Sequence, residues 1–244
     1  MVRIRIEEGR FDLEAETRYE STPMSLQSRL ILRLALVLPL TAALMFGPAG
    51  SFGFWQGWVF VVMFTVFSFV FAAYFSRRDQ RLVERRLEGR EPRREQRLFK
   101  MLWVPLWIIT LVLPGFDYRF GWSAVPPLVT GVSIAAMVVG WLMVFHVMRF
   151  NSFASAVVKV EAGQKVITDG PYRLVRHPMY SGFVLMILAA PTMLGSWVAL
   201  APAVALIPVL VFRLRDEERM LRKELEGYAE YCERVRYRLV PYLF

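Results

Sequence analysis

The sequence predicts an all-α fold: a polytopic membrane helix bundle of about six membrane segments in three hairpins, with a C-terminal amphipathic helix on the cytoplasmic face. Three observations carry this. The 244-residue chain is 56% hydrophobic, with mean hydropathy +0.39, more apolar than an average soluble domain. Its apolar residues come in long blocks nearly free of charge, not in alternating faces. Its basic residues, 28 of 30, fall between those blocks in a pattern that assigns them to one side of a membrane.

The blocks are Leu30–Phe46, Phe54–Phe75, Met101–Leu113, Val125–Met148, Met179–Leu194 and Trp197–Phe212. A helix rises about 1.5 Å per residue, so roughly 20 apolar residues cross a bilayer. The second and fourth blocks meet that length. The third reaches it by running on towards Phe120, and the first, fifth and sixth are short.

The net charge of +9 invites a nucleic-acid reading, but its distribution argues for topology instead. Of 30 Lys and Arg, 28 lie in residues 1–29, 76–100, 149–177 and 213–244. The exceptions are Arg33, inside the first block, and Arg119, in the loop 114–124. The connectors Gly47–Gly53 and Gly195–Ser196 carry no charge. If the segments alternate in direction, the basic stretches share one side, the positive-inside arrangement. Both termini and the two long connections are then cytoplasmic. The bilayer is the first partner this implies; nucleic acid is not one. Arg outnumbers Lys 26 to 4, pointing to a bacterial inner membrane.

Taken in order, residues 1–29 form a mixed-charge leader with no apolar core or cleavage site of a signal peptide. It reads equally as an interfacial helix or as disordered chain. Leu30–Phe75 is a hairpin turned at Gly47-Pro48-Ala49-Gly50, with Pro39 in its first arm. Arg77–Lys100 intersperses Arg with Asp79, Glu84, Glu88, Glu91 and Glu95. That spacing suits i,i+4 pairing on a solvated helix broken near Gly89–Pro92. The scaffold 30–148, with its cytoplasmic connector 76–100, closes with a second hairpin, Met101–Met148, turned across Pro114–Pro127. Arg149–His177 is too polar for lipid and holds Val157–Val160, Val166–Ile167 and the turn Asp169-Gly170-Pro171. The third hairpin, Met179–Phe212, turns at Gly195-Ser196. Leu214, Leu221, Leu225, Tyr228 and Val235 then recur at helical spacing, predicting an amphipathic helix over Arg213–Arg238 that folds back on the membrane face. The lone Cys232 allows no intramolecular disulfide and no metal site.

Two polar clusters abut the membrane on the same side: Gly170-Pro-Tyr-Arg-Leu-Val-Arg-His-Pro-Met-Tyr180 before the fifth block, and Arg213-Leu-Arg-Asp-Glu-Glu218 after the sixth. The short hairpin between them returns, so its ends meet. Arg173, Arg176, His177, Arg213 and Arg215 are therefore expected to converge with Asp216, Glu217 and Glu218 at one cytoplasmic rim. Singly, each has a bland reading. Arg173 and Arg176 suit interfacial anchors, Arg213 and Glu217 an i,i+4 pair, and His177 a helix start before Pro178. His146 reads as a structural histidine. Ionisable clusters at a membrane edge nonetheless mark functional sites.

In combination these residues are more specific. The run Gly-x-Tyr-x-x-x-Arg-His-Pro-x-Tyr over Gly170–Tyr180, with Asn151 before it and Glu217-Glu218-x-x-Leu221 after one hairpin, resembles the isoprenylcysteine carboxyl methyltransferase family. It is similar also to the wider group of integral-membrane methyltransferases that includes phospholipid N-methyltransferases. Gly227-Tyr228-x-x-Tyr231 and Arg238-x-x-Pro241 extend the likeness, which covers 151–244. The resemblance implies a methyltransferase core over 149–244 that uses S-adenosyl-L-methionine. It implies cofactor contacts at Gln164, Lys165, Val166, Ile167, Tyr172, His177, Pro178, Met179, Tyr180 and Glu217. Arg213 would be the substrate contact, and Arg213 with Glu217 the catalytic pair. A cofactor-contacting Gln of the eukaryotic carboxyl methyltransferases falls on Val157, which lacks the polar group.

The implied acceptor is lipophilic or amphiphilic and reached from the bilayer, with isoprenylcysteine-type carboxyl methylation first. A phospholipid headgroup and a small thiol stay open. The rival enzyme is an NADPH-dependent membrane lipid reductase, because sterol reductases share a similar C-terminal membrane architecture. The absence of a Gly-x-Gly-x-x-Gly run does not exclude it. A non-catalytic scaffold or transporter would leave the Arg-His-Pro and Glu-Glu clusters unexplained.

Overall fold

The computed structural model describes residues 24–87, 94–153, 160 and 163–244. Among these the chain is helical: α1 (Leu26–Ala49), α2 (Trp55–Arg78), α3 (Gln80–Leu87), α4 (Arg94–Phe120), α5 (Pro127–Phe150), α6 (Pro178–Met193), α7 (Leu200–Glu224) and α8 (Tyr228–Arg234). Helices α1, α2, α4 and α5 have 24 to 27 residues and are long and apolar enough to cross a membrane. Helix α6 has 16 residues, and α7 is apolar only as far as Phe212. The fold class read from the hydropathy is the one observed.

The outer surface is what lipid would wet. Leu36, Val62, Val66, Leu128 and Leu142 are all exposed on the long helices. In water so extensive an apolar surface would drive aggregation; in a bilayer it is the stable exterior. The helices meet through small residues. A Cβ added at Gly182 would stand 3.0 Å from the Gly140 carbonyl oxygen, and one at Gly115 only 2.5 Å from that of Met45. The α5–α6 and α1–α4 crossings therefore depend on glycine to bring backbones together, as is common in membranes.

One end of the bundle is tied by a buried carboxylate. Asp117, 1% exposed, accepts from the Ser123 backbone at 2.7 Å, the Ser123 hydroxyl at 2.6 Å and the Ser196 hydroxyl at 2.5 Å. Ser196 Oγ in turn accepts from Ala199 N at 3.1 Å, at the start of α7. The loops after α4 and α6 are thus joined. Exposed Phe52, Trp55, Trp58, Phe120, Trp122 and Trp197 surround this end, the girdle expected at a membrane–water boundary. The basic connections lie at the other end.

Several boundaries differ from expectation. Helix α1 begins at Leu26, inside the stretch read as leader; the earlier leader residues, 1–23, lie outside the described residues, as do 88–93 with the expected break near Gly89–Pro92. Helix α4 runs through Pro114 to Phe120, so the second turn is shorter than Pro114–Pro127. The largest correction is at the C-terminus. No separate amphipathic helix spans Arg213–Arg238: α7 continues unbroken from Leu200 to Glu224. No Gly or Pro occurs from Val209 to Glu226, and Leu, Arg and Glu all favour helix. The chain breaks only at Leu225, restarts at Gly227 (φ +80) as α8, and ends in a folded tail.

The connector expected to be solvated is partly inside. Asp79 Oδ1 caps α3 at Leu82 N, 3.0 Å away, and Leu82 and Val83 are buried against Phe75, Val144 and Met148. Arg33, the charge inside the first apolar block, donates to the Leu87 carbonyl at 2.6 Å and the Arg86 carbonyl at 3.3 Å. It satisfies carbonyls at the end of α3 that the helix itself cannot.

Candidate active site at the membrane edge

The site is built where the segment after α5 meets the start of α6 and the charged half of α7. Asn151, just past α5, donates from Nδ2 to Tyr172 Oη at 2.7 Å and accepts from Phe153 N at 2.9 Å. Tyr172 lies in a 3-10 turn, Gly170–Arg173. Its carbonyl accepts from Tyr231 Oη at 2.8 Å. Burial pushes the Tyr172 phenol up to about 12, against the hydrogen bond from Asn151. It is therefore neutral at physiological pH and presents a ring and a hydroxyl, not a charge.

The Arg-His-Pro turn is held from both sides. Its Arg176 and His177 amides donate to the carbonyls of Tyr237 and Arg238, each at 2.9 Å. Ser181 Oγ donates to the Leu239 carbonyl at 2.6 Å. From the other side, Glu218 meets Arg176 Nε at 2.8 Å, His177 Nε2 at 3.3 Å and Arg238 Nε at 2.9 Å. Pro178 then starts α6 at a position where a missing N–H costs nothing.

This arrangement separates the two adjacent glutamates. Glu218 is buried within the brace, whereas Glu217 faces a cavity and accepts from Tyr180 Oη at 2.5 Å. Tyr180 Oη also accepts from Arg213 Nε at 3.0 Å. One hydroxyl thus joins the acid and the guanidinium expected to be the catalytic pair. Arg213 is buried, with its guanidinium 4.7 Å over the Phe99 ring. The His177 ring stacks on that of Tyr180, centroids 5.6 Å apart.

All the residues singled out from the sequence as cofactor or substrate contacts line this one cavity. Gln164, Lys165, Val166 and Ile167 come from the connection; Tyr172, His177, Pro178, Met179 and Tyr180 from the turn and α6; Arg213 and Glu217 from α7. Val166 and Ile167 are in irregular chain, and Val157 lies outside the described residues. Arg173 and Arg215 are not brought in. Arg173 is exposed, and Arg215 opens on a separate groove with Arg219, Arg222 and Arg238. Side chains turn about 100° per residue along α7, so Arg213 and Glu217, four apart, point one way and Arg215 another.

Other lining residues had been assigned no contact. Met220, Leu221, Leu225, Tyr228 and Tyr231 complete the cavity lining. The helical recurrence of Leu221, Leu225 and Tyr228 was legible, but it reads equally as a face packed on the membrane surface. Cys232 is buried in the same cluster as a packing thiol. Arg86 of α3 also reaches this region, its Nη2 2.8 Å from Met179 Sδ.

Comparison with known proteins bears on this region. Residues 128–226 match the phospholipid methyltransferase family. Over 80 residues the chain is 34% identical to protein-S-isoprenylcysteine O-methyltransferase B of Arabidopsis thaliana, covering 32% of this chain and 41% of that protein. Over this region the chain is similar to membrane methyltransferases of phospholipid and isoprenylcysteine type. Over 90 residues it is also 33% identical to the Delta(14)-sterol reductase of Mus musculus, covering 36% of this chain and 22% of that protein. The matches span less than half the length of either relative. Matched residues 128–226 run from α5 through α7, and so hold both the Arg-His-Pro turn and the Arg213–Glu217 side of the cavity.

Proposed function

We propose that the protein transfers a methyl group from S-adenosyl-L-methionine to a lipophilic or amphiphilic acceptor at the cytoplasmic face of a membrane. Isoprenylcysteine-type carboxyl methylation is the first choice; phospholipid N-methylation and small-thiol S-methylation follow. The observation that carries this is the Glu217–Tyr180–Arg213 chain in the wall of a cavity that Gln164–Ile167 also line.

The donor set suits the cofactor's groups. Glu217 offers a carboxylate to an ammonium, and Gln164 and Lys165 offer donors to a carboxylate. The faces of Tyr172 and Tyr180 suit an adenine or a sulfonium, and Val166 and Ile167 are apolar neighbours for the base. These residues would hold the cofactor there, and it would supply an electrophilic methyl group to an acceptor lone pair, the S–CH3 bonding electrons staying on sulfur.

The protein's own task is alignment and exclusion of water. Tyr180 holds Glu217 and Arg213 in fixed relation. Arg213, buried at the rim, orients an anionic acceptor group. A carboxylate or thiolate acceptor needs no base, whereas an amine acceptor must also release a proton to solvent.

The test is methyl transfer from a labelled cofactor into extracted lipids, thiols and prenylcysteine analogues, together with calorimetric titration of S-adenosyl-L-methionine and NADPH. Transfer to one acceptor class is the expected result. The sterol reductase match gives the second reading, an NADPH-dependent membrane lipid reductase. NADPH binding with no S-adenosyl-L-methionine binding and no label transferred would replace the first reading by it.

A further inference from the structure

Arg86 lies beside the cavity with few acceptors for its guanidinium. It sits one residue from the end of α3 and turns into the bundle beside Met179. Its charge acts on Tyr180, Arg213, Tyr172 and Glu217, all at the cavity. A guanidinium carries five N–H donors. Among the described residues the only side-chain acceptor Arg86 meets is the Met179 thioether, and its Nε is buried with no partner. Burial lowers its pKa to about 10, so it is still charged at neutral pH.

A half-buried guanidinium with so few hydrogen-bond acceptors is costly and persists only where something holds it. Here the backbone is held by Asp79 capping the helix, by Leu82 and Val83 in the core, and by Arg33 on the last carbonyls. Arg85 adds a bond to the Ser152 carbonyl at 2.6 Å. These ties also fasten α3 to the segment that enters the cavity. Arg86 is therefore presented by a fixed scaffold.

Arg213 approaches the same place from α7, its Nε at the Tyr180 hydroxyl. The two like charges disfavour each other. Glu217, the nearby acid, already accepts from Tyr180. An added anion between the guanidinium groups would relieve both, and Arg forks match carboxylate and phosphate geometry.

We propose that Arg86 and Arg213 form a two-guanidinium clamp for the anionic group of the amphiphilic acceptor, a carboxylate or a phosphate ester. The proposal rests on the methyl-transfer reading only in taking the clamped anion to be the acceptor's. Arg86 is then a specificity-determining residue supplied by the part of the chain outside the matched methyltransferase region.

The experiment uses the full chain in lipid nanodiscs, as wild type, Arg86→Met and Arg86→Lys. Direct binding is measured for a farnesylated carboxylate against its neutral amide, and for a dialkyl phosphate against its neutral methyl triester. Wild type should prefer the charged member of at least one pair by about 10-fold or more, the usual worth of a charge-assisted hydrogen bond. The pair that shows it identifies carboxylate or phosphate. Arg86→Met should lose most of that preference, Arg86→Lys should keep part of it, and both should bind the neutral ligands and S-adenosyl-L-methionine as wild type does. The melting temperature of Arg86→Met should hold or rise, because a half-buried charge with few acceptors gives way to an apolar chain of similar length.

No charge preference in wild type, or a preference that survives Arg86→Met, overturns the clamp. So does a large fall in melting temperature with all ligands lost alike, which would make Arg86 structural. Charge preference without methyl transfer to any acceptor would remove the methyltransferase reading and leave the clamp. Transfer without charge preference would do the reverse.

Discussion

Arg176 and Glu218 face each other at 2.8 Å, with side chains only 5% and 6% exposed. The contact is an ion pair more than a hydrogen bond, since Arg176 Nε is not aligned to donate. Around the same carboxylate stand His177 at 3.3 Å and Arg238 at 2.9 Å. One buried acid thus fastens α7, the Arg-His-Pro turn and the C-terminal tail together, behind the wall on which Glu217 and Tyr180 sit.

Removing that acid should be among the most destabilising single changes outside the apolar core. Glu218→Gln leaves Arg176 buried without a counter-charge, for which about 3–5 kcal/mol is the usual cost. Thermal unfolding in detergent should show it. The double variant Glu218→Leu with Arg176→Met should recover much of the loss, because neither charge then remains. A double variant no better than Glu218→Gln would mean that packing, not charge, governs this brace.

The same brace predicts an acid-sensitive fold. Burial alone would raise the Glu218 carboxyl, but hydrogen bonding and charge from His177, the bond from Arg238 and the charge of Arg176 outweigh it and hold it at about 2. A carboxyl whose folded pKa is depressed binds its proton more readily when unfolded. Its stabilisation is complete above its ordinary 4.5 and is lost as pH falls through about 2, the linkage direction for a paired acid. The melting temperature of wild type should therefore fall across that window more steeply than that of Glu218→Gln. Parallel acid profiles would remove Glu218 as the cause.

Tyr180→Phe tests the site without disturbing the brace. The hydroxyl donates to Glu217 at 2.5 Å and accepts from Arg213 at 3.0 Å, and the ring stacks on His177. Phe keeps the ring and loses both bonds. Under the methyl-transfer reading, kcat/KM should fall about 10–100-fold, the range for a hydrogen bond to a charged group. Both cofactor affinity and acceptor KM should worsen, since one hydroxyl positions a residue for each. An effect on only one of them would show that the hydroxyl does not couple the pair.

Much of this layout was legible because hydropathy and the Gly170–Tyr180 run are local signals. Six apolar blocks separated by basic stretches leave little choice but three hairpins, and a short hairpin must bring Tyr180 near Arg213. What escaped depends on tertiary direction. Glu217 and Glu218 are adjacent in sequence, yet the rotation of about 100° per helical residue sends one to the cavity and the other to Arg176. Arg86 sits among ten basic residues whose spacing suits a solvated helix, and nothing local distinguishes it from Arg85. Arg213 and Arg215 look equivalent until α7 is seen to continue straight through them.

Gly170 opens the Gly170–Tyr180 run in a backbone conformation that demands glycine. Its φ is +58, and an added Cβ would stand 2.7 Å from the Phe150 ring. Two costs therefore fall on Gly170→Ala: a left-handed conformation unfavourable to any L side chain, and a collision with the last residue of α5. Together about 1–3 kcal/mol of stability should be lost. Because Gly170 opens the turn that carries Tyr172, cofactor affinity should fall as well. Adding Phe150→Leu opens space beside the new methyl group but leaves the backbone conformation unchanged. It should restore part of the melting temperature and only part. Full restoration would assign the whole cost to the ring contact, and no restoration would assign it to φ.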